Sequence, residues 1–328
     1  MEPVRWGVLG CADIAVHKVI PAMKGAQLSE VLAIASRSAV RARETAAHLG
    51  IARPYGSYED LLADPDIEAV YVPLPNHLHE EWTLAAAEAG KHVLCEKPLA
   101  LTSDQARRMI AGCERAGVKL MEAFMYRLHP MWRRIRELVS GGSIGELLAI
   151  QSFFSYRNTD PEDIRNIPEL GGGALYDIGC YPVNMARMMF ESEPIRVRSA
   201  IHRDPDFGTD VITSATLDFG GRHATFTVST QIEDNQFVHL VGTEGRIHVE
   251  IPFNIPPDRP TRILVFAGGN PPVEPDETVI EIEKSDQYAI QADLFAEAVR
   301  LDQPVPTGPE DAVANLEVIE AIFADESR

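Results

Sequence analysis

The sequence predicts an α/β protein: an N-terminal Rossmann-type, doubly wound parallel sheet, then an α+β domain with a large open, mainly antiparallel sheet. Three observations carry this expectation. Over roughly the first third of the chain, short apolar runs alternate with longer helical patterns, as in parallel strands covered on both faces. From about Glu146 strand-like runs follow one another directly, separated by glycine-rich turns, as in antiparallel strands with one open face. A length of 328 residues suits two domains of about 150 residues, each with its own core.

The first part reads as strands at Val4–Leu9, Glu30–Ala35, Ala69–Val72, His92–Cys95 and Val118–Met121. Helices are expected at Ile14–Gly25, Ala39–Leu49, Tyr58–Ala63, His77–Ala89 and Ser103–Ala116, with Gly50, Gly90 and Gly117 just past three of their ends. Pro21 falls inside the first helix, so a kink or early stop is expected there. The second part reads as a meander of strands at Glu146–Tyr156, Arg196–His202, Asp210–Leu217, His223–Gln231, Phe237–Val241, Arg246–Ile251, Arg262–Phe266 and Thr278–Ile282. A helix at Leu175–Phe190 interrupts it, and helices at Gln287–Leu301 and Glu310–Phe323 close the chain, free to pack back on the first domain. The expected division is residues 1–122 and 123–328.

Composition removes several functions. With 30 Lys+Arg against 49 Asp+Glu the net charge is −19, which repels nucleic acid and anionic lipid surfaces. No uncharged apolar stretch approaches the roughly 18 residues of a membrane span, and the opening Met-Glu-Pro-Val-Arg-Trp lacks the apolar core of a signal peptide. Cys11, Cys95, Cys113 and Cys180 are widely spaced without a CxxC pair. That pattern suits reduced thiols in a cytoplasmic protein, with no structural metal.

Chemistry-bearing residues collect at the expected strand ends. Val4–Leu9 runs into Gly10-Cys11-Ala12-Asp13-Ile14-Ala15, the place of the dinucleotide fingerprint GxGxxG with Ala12 and Ala15 for its later glycines. Gly10 permits the tight turn, and alanine is small enough for a helix N-terminus to approach a pyrophosphate; an ordinary strand-to-helix turn is the plainer alternative. The second strand ends in Ser36-Arg37-Ser38 with Arg41 one turn on, where an NAD site usually carries a carboxylate. Arginine and serine attract a 2′-phosphate, so NADP(H) is expected over NAD(H), unless these are solvated surface residues.

Three further segments matter. Val72-Pro73-Leu74-Pro75-Asn76-His77-Leu78-His79 lies at a ligand-bearing sheet edge; there Asn76 could simply cap a helix and His79 could be structural. His92–Cys95 ends in Glu96-Lys97-Pro98. A lysine there would stabilise a developing alkoxide and lower the pKa of a neighbouring acid, or would merely pair with Glu96. In Gly171-Gly172-Gly173-Ala174-Leu175-Tyr176-Asp177-Ile178-Gly179-Cys180-Tyr181-Pro182, Asp177 and Tyr181 stand four apart and so share a helix face. The glycines admit a ligand or another backbone. Tyr181 is a candidate for proton transfer, or a core tyrosine.

Taken in order, these segments resemble the glucose-fructose oxidoreductase/inositol dehydrogenase/MocA (Gfo/Idh/MocA) family over essentially the whole chain. Glu122-Ala123-Phe124-Met125-Tyr126-Arg127-Leu128-His129-Pro130 and the Gly-rich run before Asp177 look closest to its D-xylose dehydrogenase and dimeric dihydrodiol dehydrogenase branch. The resemblance implies catalytic roles for Lys97, Asp177 and Tyr181. Around the cofactor it and the residue reading together imply Gly10, Cys11, Ala12, Asp13, Ile14, Ser36, Arg37, Ser38, Arg41, Pro73, Leu74, Asn76, His79, Glu96, Lys97 and Arg127. Arg165 and Asn166 are expected to join Lys97, Asp177 and Tyr181 on the substrate. It further implies hydride transfer between nicotinamide and a sugar or cyclic polyol, and a homodimer or homotetramer assembled through the open sheet.

Alternatives differ in substrate or class: a keto-sugar reductase, a trans-dihydrodiol dehydrogenase, or a non-catalytic NADP-sensing regulator. Classical short-chain dehydrogenases need Tyr-xxx-Lys, which the chain lacks, and the scattered cysteines do not make a zinc alcohol dehydrogenase. The acidity does not exclude NADP, because a few local groups recognise a phosphate and a neutral sugar needs no basic funnel.

Overall fold

The computed structural model describes residues 1–268 and 276–326. In chain order it contains β1 (Val4–Leu9), α1 (Ile20–Gly25), β2 (Ser29–Ala35), α2 (Ala39–Leu49), β3 (Arg53–Tyr55), α3 (Tyr58–Leu62), β4 (Ala69–Val72), α4 (His79–Glu88), β5 (His92–Cys95), α5 (Ser103–Ala116) and β6 (Leu120–Glu122). Then come α6 (Pro130–Ser140), β7 (Leu147–Arg157), α7 (Cys180–Phe190), β8 (Arg196–Arg203), β9 (Asp210–Asp218), β10 (His223–Ser229), β11 (Gln231–Gly242), β12 (Gly245–Val249), β13 (Thr261–Ala267) and β14 (Asp276–Ile282). The chain closes with α8 (Gln287–Leu301) and α9 (Glu310–Asp325). It packs as two compact units, Met1–Met125 with Asp286–Val313, and Tyr126–Ser285 with the residues from Ala314 on.

The first unit is a six-stranded parallel sheet in the order β3-β2-β1-β4-β5-β6. Strand order reverses beside β1, and ligands of such sheets bind in the crevice this opens at the carboxyl ends. Val4, Trp6, Val8, Ala69, Val70 and Tyr71 are fully buried, as strands covered on both faces require. β3 escapes the sequence reading because it is only Arg-Pro-Tyr and half exposed. Thr102 and Gln105 form a capping box that starts α5. α8 returns to this unit: the Asp293 carboxylate accepts from the backbone of Gln27 and Leu28 at 3.0 and 2.8 Å, and Phe295 packs 5.3 Å from Trp6.

Pro21 does not stop its helix, which runs on to Gly25. The chain winds a π turn over Ala15–Val19, and α1 then begins with Ile20-Pro21. The widened turn shifts the hydrogen-bond register just where proline has no N–H to give. The second unit repeats the device, with a π turn over Leu175–Gly179 and Pro182 near the start of α7.

The second unit's eight-stranded sheet runs β14-β13-β12-β11-β7-β10-β9-β8. It is not the simple meander expected: β7 sits between β11 and β10 and is parallel to β10, while the other pairs are antiparallel. α6 was also not foreseen; His129 caps it, Pro130 opens it, and Trp132 and Ile135 are fully buried. Trp132 donates to the Pro252 carbonyl at 2.6 Å, and Tyr126 and Phe253 pack in T-shaped contact, ring centres 5.3 Å apart. On the other face a groove of about 410 Å³ is lined by Gln151, Phe153, Arg198, Thr216, Thr227 and Phe237, among others. Among the described residues no helix is long and apolar enough to cross a membrane, and no group of three or more side chains could hold a metal ion.

Candidate active site

In the first unit, β1 ends in Gly10 at φ +120, a conformation that favours glycine, and a Cβ there would lie 3.1 Å from the Leu74 side chain. The turn that follows opens a helical segment at Asp13. Arg41 donates to the Cys11 carbonyl at 2.9 Å and so braces this turn. Ser36 is buried and accepts the Ser38 N–H at 3.2 Å; Ser38 in turn caps α2. Arg37 is exposed. Burial pushes the Tyr58 phenol up, and the Arg37 guanidinium nearby pulls against it. The Tyr58 hydroxyl also lies 3.8 Å from where a Gly10 Cβ would stand, so Gly10, Arg37 and Tyr58 share one corner of the sheet edge. No carboxylate follows β2. A glycine cradle, a helix start and a Ser-Arg pair fit a dinucleotide with a charged ribose.

Glu96 and Lys97 follow β5. Glu96 Oε1 accepts the Tyr71 hydroxyl at 2.6 Å, and Oε2 accepts the Lys97 N–H at 3.3 Å. The carboxylate thus anchors the backbone that carries Lys97. Burial drives the Tyr71 phenol far up, so it remains a donor. Lys97–Pro98 is a cis peptide, and Leu99 N–H reaches Glu122 at 2.7 Å.

His79, expected either against the cofactor or as a structural residue, sits in the core. Its ring is fully buried, with Nε2 2.7 Å from the Leu74 carbonyl and Nδ1 2.9 Å from the Pro98 carbonyl. It lies between the Pro73–Leu74 loop and the turn after Lys97, where the neutral ring donates to one of the two carbonyls and packs against the other. Asn76 opens a 3-10 turn that leads into α4, whose N-cap position is taken by Leu78.

In the second unit the glycine run packs on protein backbone. Gly172 and Gly173 N–H groups bond to Ile167 and Arg165 carbonyls at 3.1 and 2.8 Å. A Cβ on Gly173, at φ +116, would fall 2.0 Å from an Asp210 oxygen. Asp210 accepts Leu175 N–H and the Thr213 hydroxyl, each at 2.8 Å. The π turn that starts there carries Asp177, and Tyr181 follows on α7. Asp177 Oδ2 accepts the Tyr156 hydroxyl at 2.5 Å and lies 3.3 Å from Arg165 Nε. Burial and the Asp177 charge both raise the Tyr156 phenol. The Tyr181 ring packs among Tyr126, Phe154 and Phe253, centres 5.2–5.8 Å away.

Asn166 is buried, and its amide nitrogen donates within its own loop, to the Asp160 carbonyl at 2.8 Å. That bond builds the loop, while Asn166 Oδ1 is buried with no hydrogen-bond partner among the described residues. Arg127 lies 3.4 Å from Asn184 Oδ1, which also accepts the Tyr126 hydroxyl at 2.6 Å. Sequence reasoning missed Tyr71, Tyr156 and Asp210. Tyr71 left a signal: a phenol inside an apolar strand, Ala-Val-Tyr-Val, needs a partner for its hydroxyl.

Together the sheet, its glycine turn and the second α+β unit define a nucleotide-dependent oxidoreductase. The chain belongs to the Gfo/Idh/MocA family. A family model described as an oxidoreductase family with an NAD-binding Rossmann fold matches residues 4–124, and the GFO/IDH/MocA C-terminal domain matches residues 132–248. It is 49% identical to an uncharacterized oxidoreductase of Rhizobium meliloti, over 98% of this chain and 96% of that one. It is 39% identical to a D-xylose 1-dehydrogenase (NADP(+)) of Haloferax volcanii, with 98% and 96% covered. A crystal structure of the 3-ketoreductase KijD10 of Actinomadura kijaniata with NADP and TDP-benzene matches with a TM-score of 0.92 and 32% identity, covering 99% and 98%. The protein is thus an NAD(P)-dependent oxidoreductase whose relatives act on sugars.

Proposed function

We propose that this protein is an NADP-dependent dehydrogenase of neutral sugars, with aldoses such as D-xylose or D-glucose as the first substrate class and cyclic polyols or anhydrosugars as the second. The observation that carries this reading is Asp177, its carboxylate held by Tyr156 and Arg165, with Tyr181 one helical turn on. A fixed carboxylate accepts from a sugar hydroxyl, and a phenol on the same segment exchanges the proton of a neighbouring one. The D-xylose relative supports the substrate class.

Gly10, Cys11, Ala12, Asp13 and Ile14 would hold the pyrophosphate, Ser36, Arg37 and Ser38 the 2′-phosphate, and Pro73, Leu74, Asn76 and Glu96 the nicotinamide half. Bound there, NADP⁺ would supply the acceptor for the hydride of the oxidised carbon. Tyr181 takes the hydroxyl proton. Lys97 holds the substrate oxygen, its charge favouring the negative oxygen that forms as the proton leaves. Asp177 fixes the sugar through an adjacent hydroxyl. In the reverse direction Tyr181 returns the proton, which is what a keto-sugar reductase would need. We assign the open sheet face, with its groove beside Phe153 and Phe237, to self-association.

The test is reduction of NADP⁺ and NAD⁺ with aldoses, anhydrosugars, inositols and trans-dihydrodiols, and NADPH oxidation with keto-sugars. Aldose-dependent reduction that prefers NADP⁺ is expected, lost by at least about a hundredfold in Tyr181→Phe and Lys97→Met. Near-normal turnover in both variants would overturn the roles. Turnover of dihydrodiols alone would overturn the substrate class.

A further inference from the structure

We infer that Tyr156 is the positioning residue of the site, acting on substrate through Asp177. The inference rests on the role proposed above for Asp177. Tyr156 stands near the end of β7, between Ser155, which pairs with both β10 and β11, and Arg157, which pairs with β11, so paired residues flank it on either side in the chain. Its hydroxyl meets Asp177 Oδ2 at 2.5 Å, and Arg165 Nε reaches the same oxygen at 3.3 Å. Arg165 is held in turn by Asp163, with Nη1 3.3 Å from Oδ1.

A hydrogen bond and an ion pair from different elements meet on one oxygen and hold the carboxylate in place. The backbone of the turn fixes where the Asp177 side chain leaves the chain, and these contacts fix where its carboxylate comes to rest. The Asp177 side chain is 16% exposed, so a lost donor is not replaced freely by water. Tyr156 itself is no second acid or base. Burial and the adjacent carboxylate raise its phenol, which stays protonated and serves as a donor. In this arrangement Tyr181 moves the proton and Tyr156 aims the carboxylate. Arg165 becomes the partner of that clamp.

The experiment is a double-mutant cycle of Tyr156→Phe and Asp177→Ala, with D-xylose and D-glucose as probes and NADP⁺ as oxidant. NADPH affinity by fluorescence and the melting temperature report folding. Tyr156→Phe should raise the sugar KM about tenfold, change kcat less than about threefold and leave NADPH affinity within about twofold. The double variant should be no worse than Asp177→Ala alone, because Tyr156 has nothing left to position. An unchanged KM in Tyr156→Phe, or losses that multiply in the double variant, would overturn the inference while the role of Asp177 stands. An Asp177→Ala protein with normal KM and kcat, or a wild type inert to both aldoses, would overturn the proposed role and the inference with it. If Tyr156→Phe fails to fold, Arg165→Met removes the ion-pair partner and must show the same non-additivity with Asp177→Ala.

Discussion

Asp210, on β9, accepts the backbone N–H of Leu175 at 2.8 Å and so pins the start of the turn that carries Asp177. The carboxyl is 1% exposed, and burial lifts it from 3.8 to about 6. A group raised in the folded state binds more protons there than in the unfolded chain. Its contribution to stability is therefore full below 3.8 and lost as pH rises through about 6, on the order of 3 kcal/mol once ionised. Asp210→Asn keeps an acceptor for Leu175 and removes the titration. Urea melts at pH 5 and 8 should show the variant gaining on wild type as pH rises. A constant difference would mean that Asp210 is ionised throughout.

The Tyr71–Glu96 hydrogen bond predicts a different split. Tyr71→Phe keeps the core volume but leaves Glu96 Oε1 without the donor that meets it at 2.6 Å. Stability should fall by about 1–3 kcal/mol. Since Glu96 also accepts the Lys97 N–H, kcat should fall with it while the NADP⁺ KM changes little. Denaturant melts with steady-state kinetics check both, and a loss of stability alone would separate Glu96 from the placement of Lys97.

Much of the first unit could be read from the chain because its signals are local. The runs Val4–Leu9, Ala69–Val72 and His92–Cys95 are apolar between polar turns, and each is a strand with those bounds. β7 could not be placed this way. Nothing within Leu147–Arg157 says that it pairs with β10 and β11, residues 66 or more further on, because sheet order is set by packing over long sequence separations. The same holds for the site. Gly10, Lys97 and Asp177 announce themselves by position after a strand or a glycine run. Tyr156 and Asp210 do not, because each matters only through a partner 21 or 35 residues away. His79 shows the converse case. A histidine near a ligand-bearing edge reads as functional or as structural, and its burial between two carbonyls favours the second.

That burial has its own pH signature. Burial holds the His79 ring below its ordinary 6.5, against the pull of the Leu74 and Pro98 carbonyls. The unfolded chain therefore takes up the proton first, and stability is lost as pH falls below 6.5. His79→Ala removes the ring and leaves a void between two loops, at a cost of about 2–4 kcal/mol. The acid-side slope between pH 7 and 5.5 should shrink in the variant, measured by thermal melts across that range. An unchanged slope would assign the acid sensitivity to other groups.

Cofactor choice gives the sharpest test of the β2 edge. Arg37 is exposed, beside buried Ser36 and next to Tyr58, and no carboxylate of the kind that grips a ribose diol follows β2. A charged hydrogen bond to a phosphate is worth about 1.5–3 kcal/mol. Arg37→Ala should therefore raise the NADP⁺ KM by about 10–150-fold and leave the NAD⁺ KM within about twofold, since NAD⁺ has no phosphate to lose. Arg41→Ala should behave otherwise. Its guanidinium braces the Cys11 carbonyl, so its loss should weaken both cofactors alike by loosening the Gly10 turn. Steady-state kinetics with both nucleotides on both variants decides the matter. Equal losses for NADP⁺ and NAD⁺ in Arg37→Ala would place the 2′-phosphate elsewhere, and a selective NADP⁺ loss in Arg41→Ala would move it to that arginine.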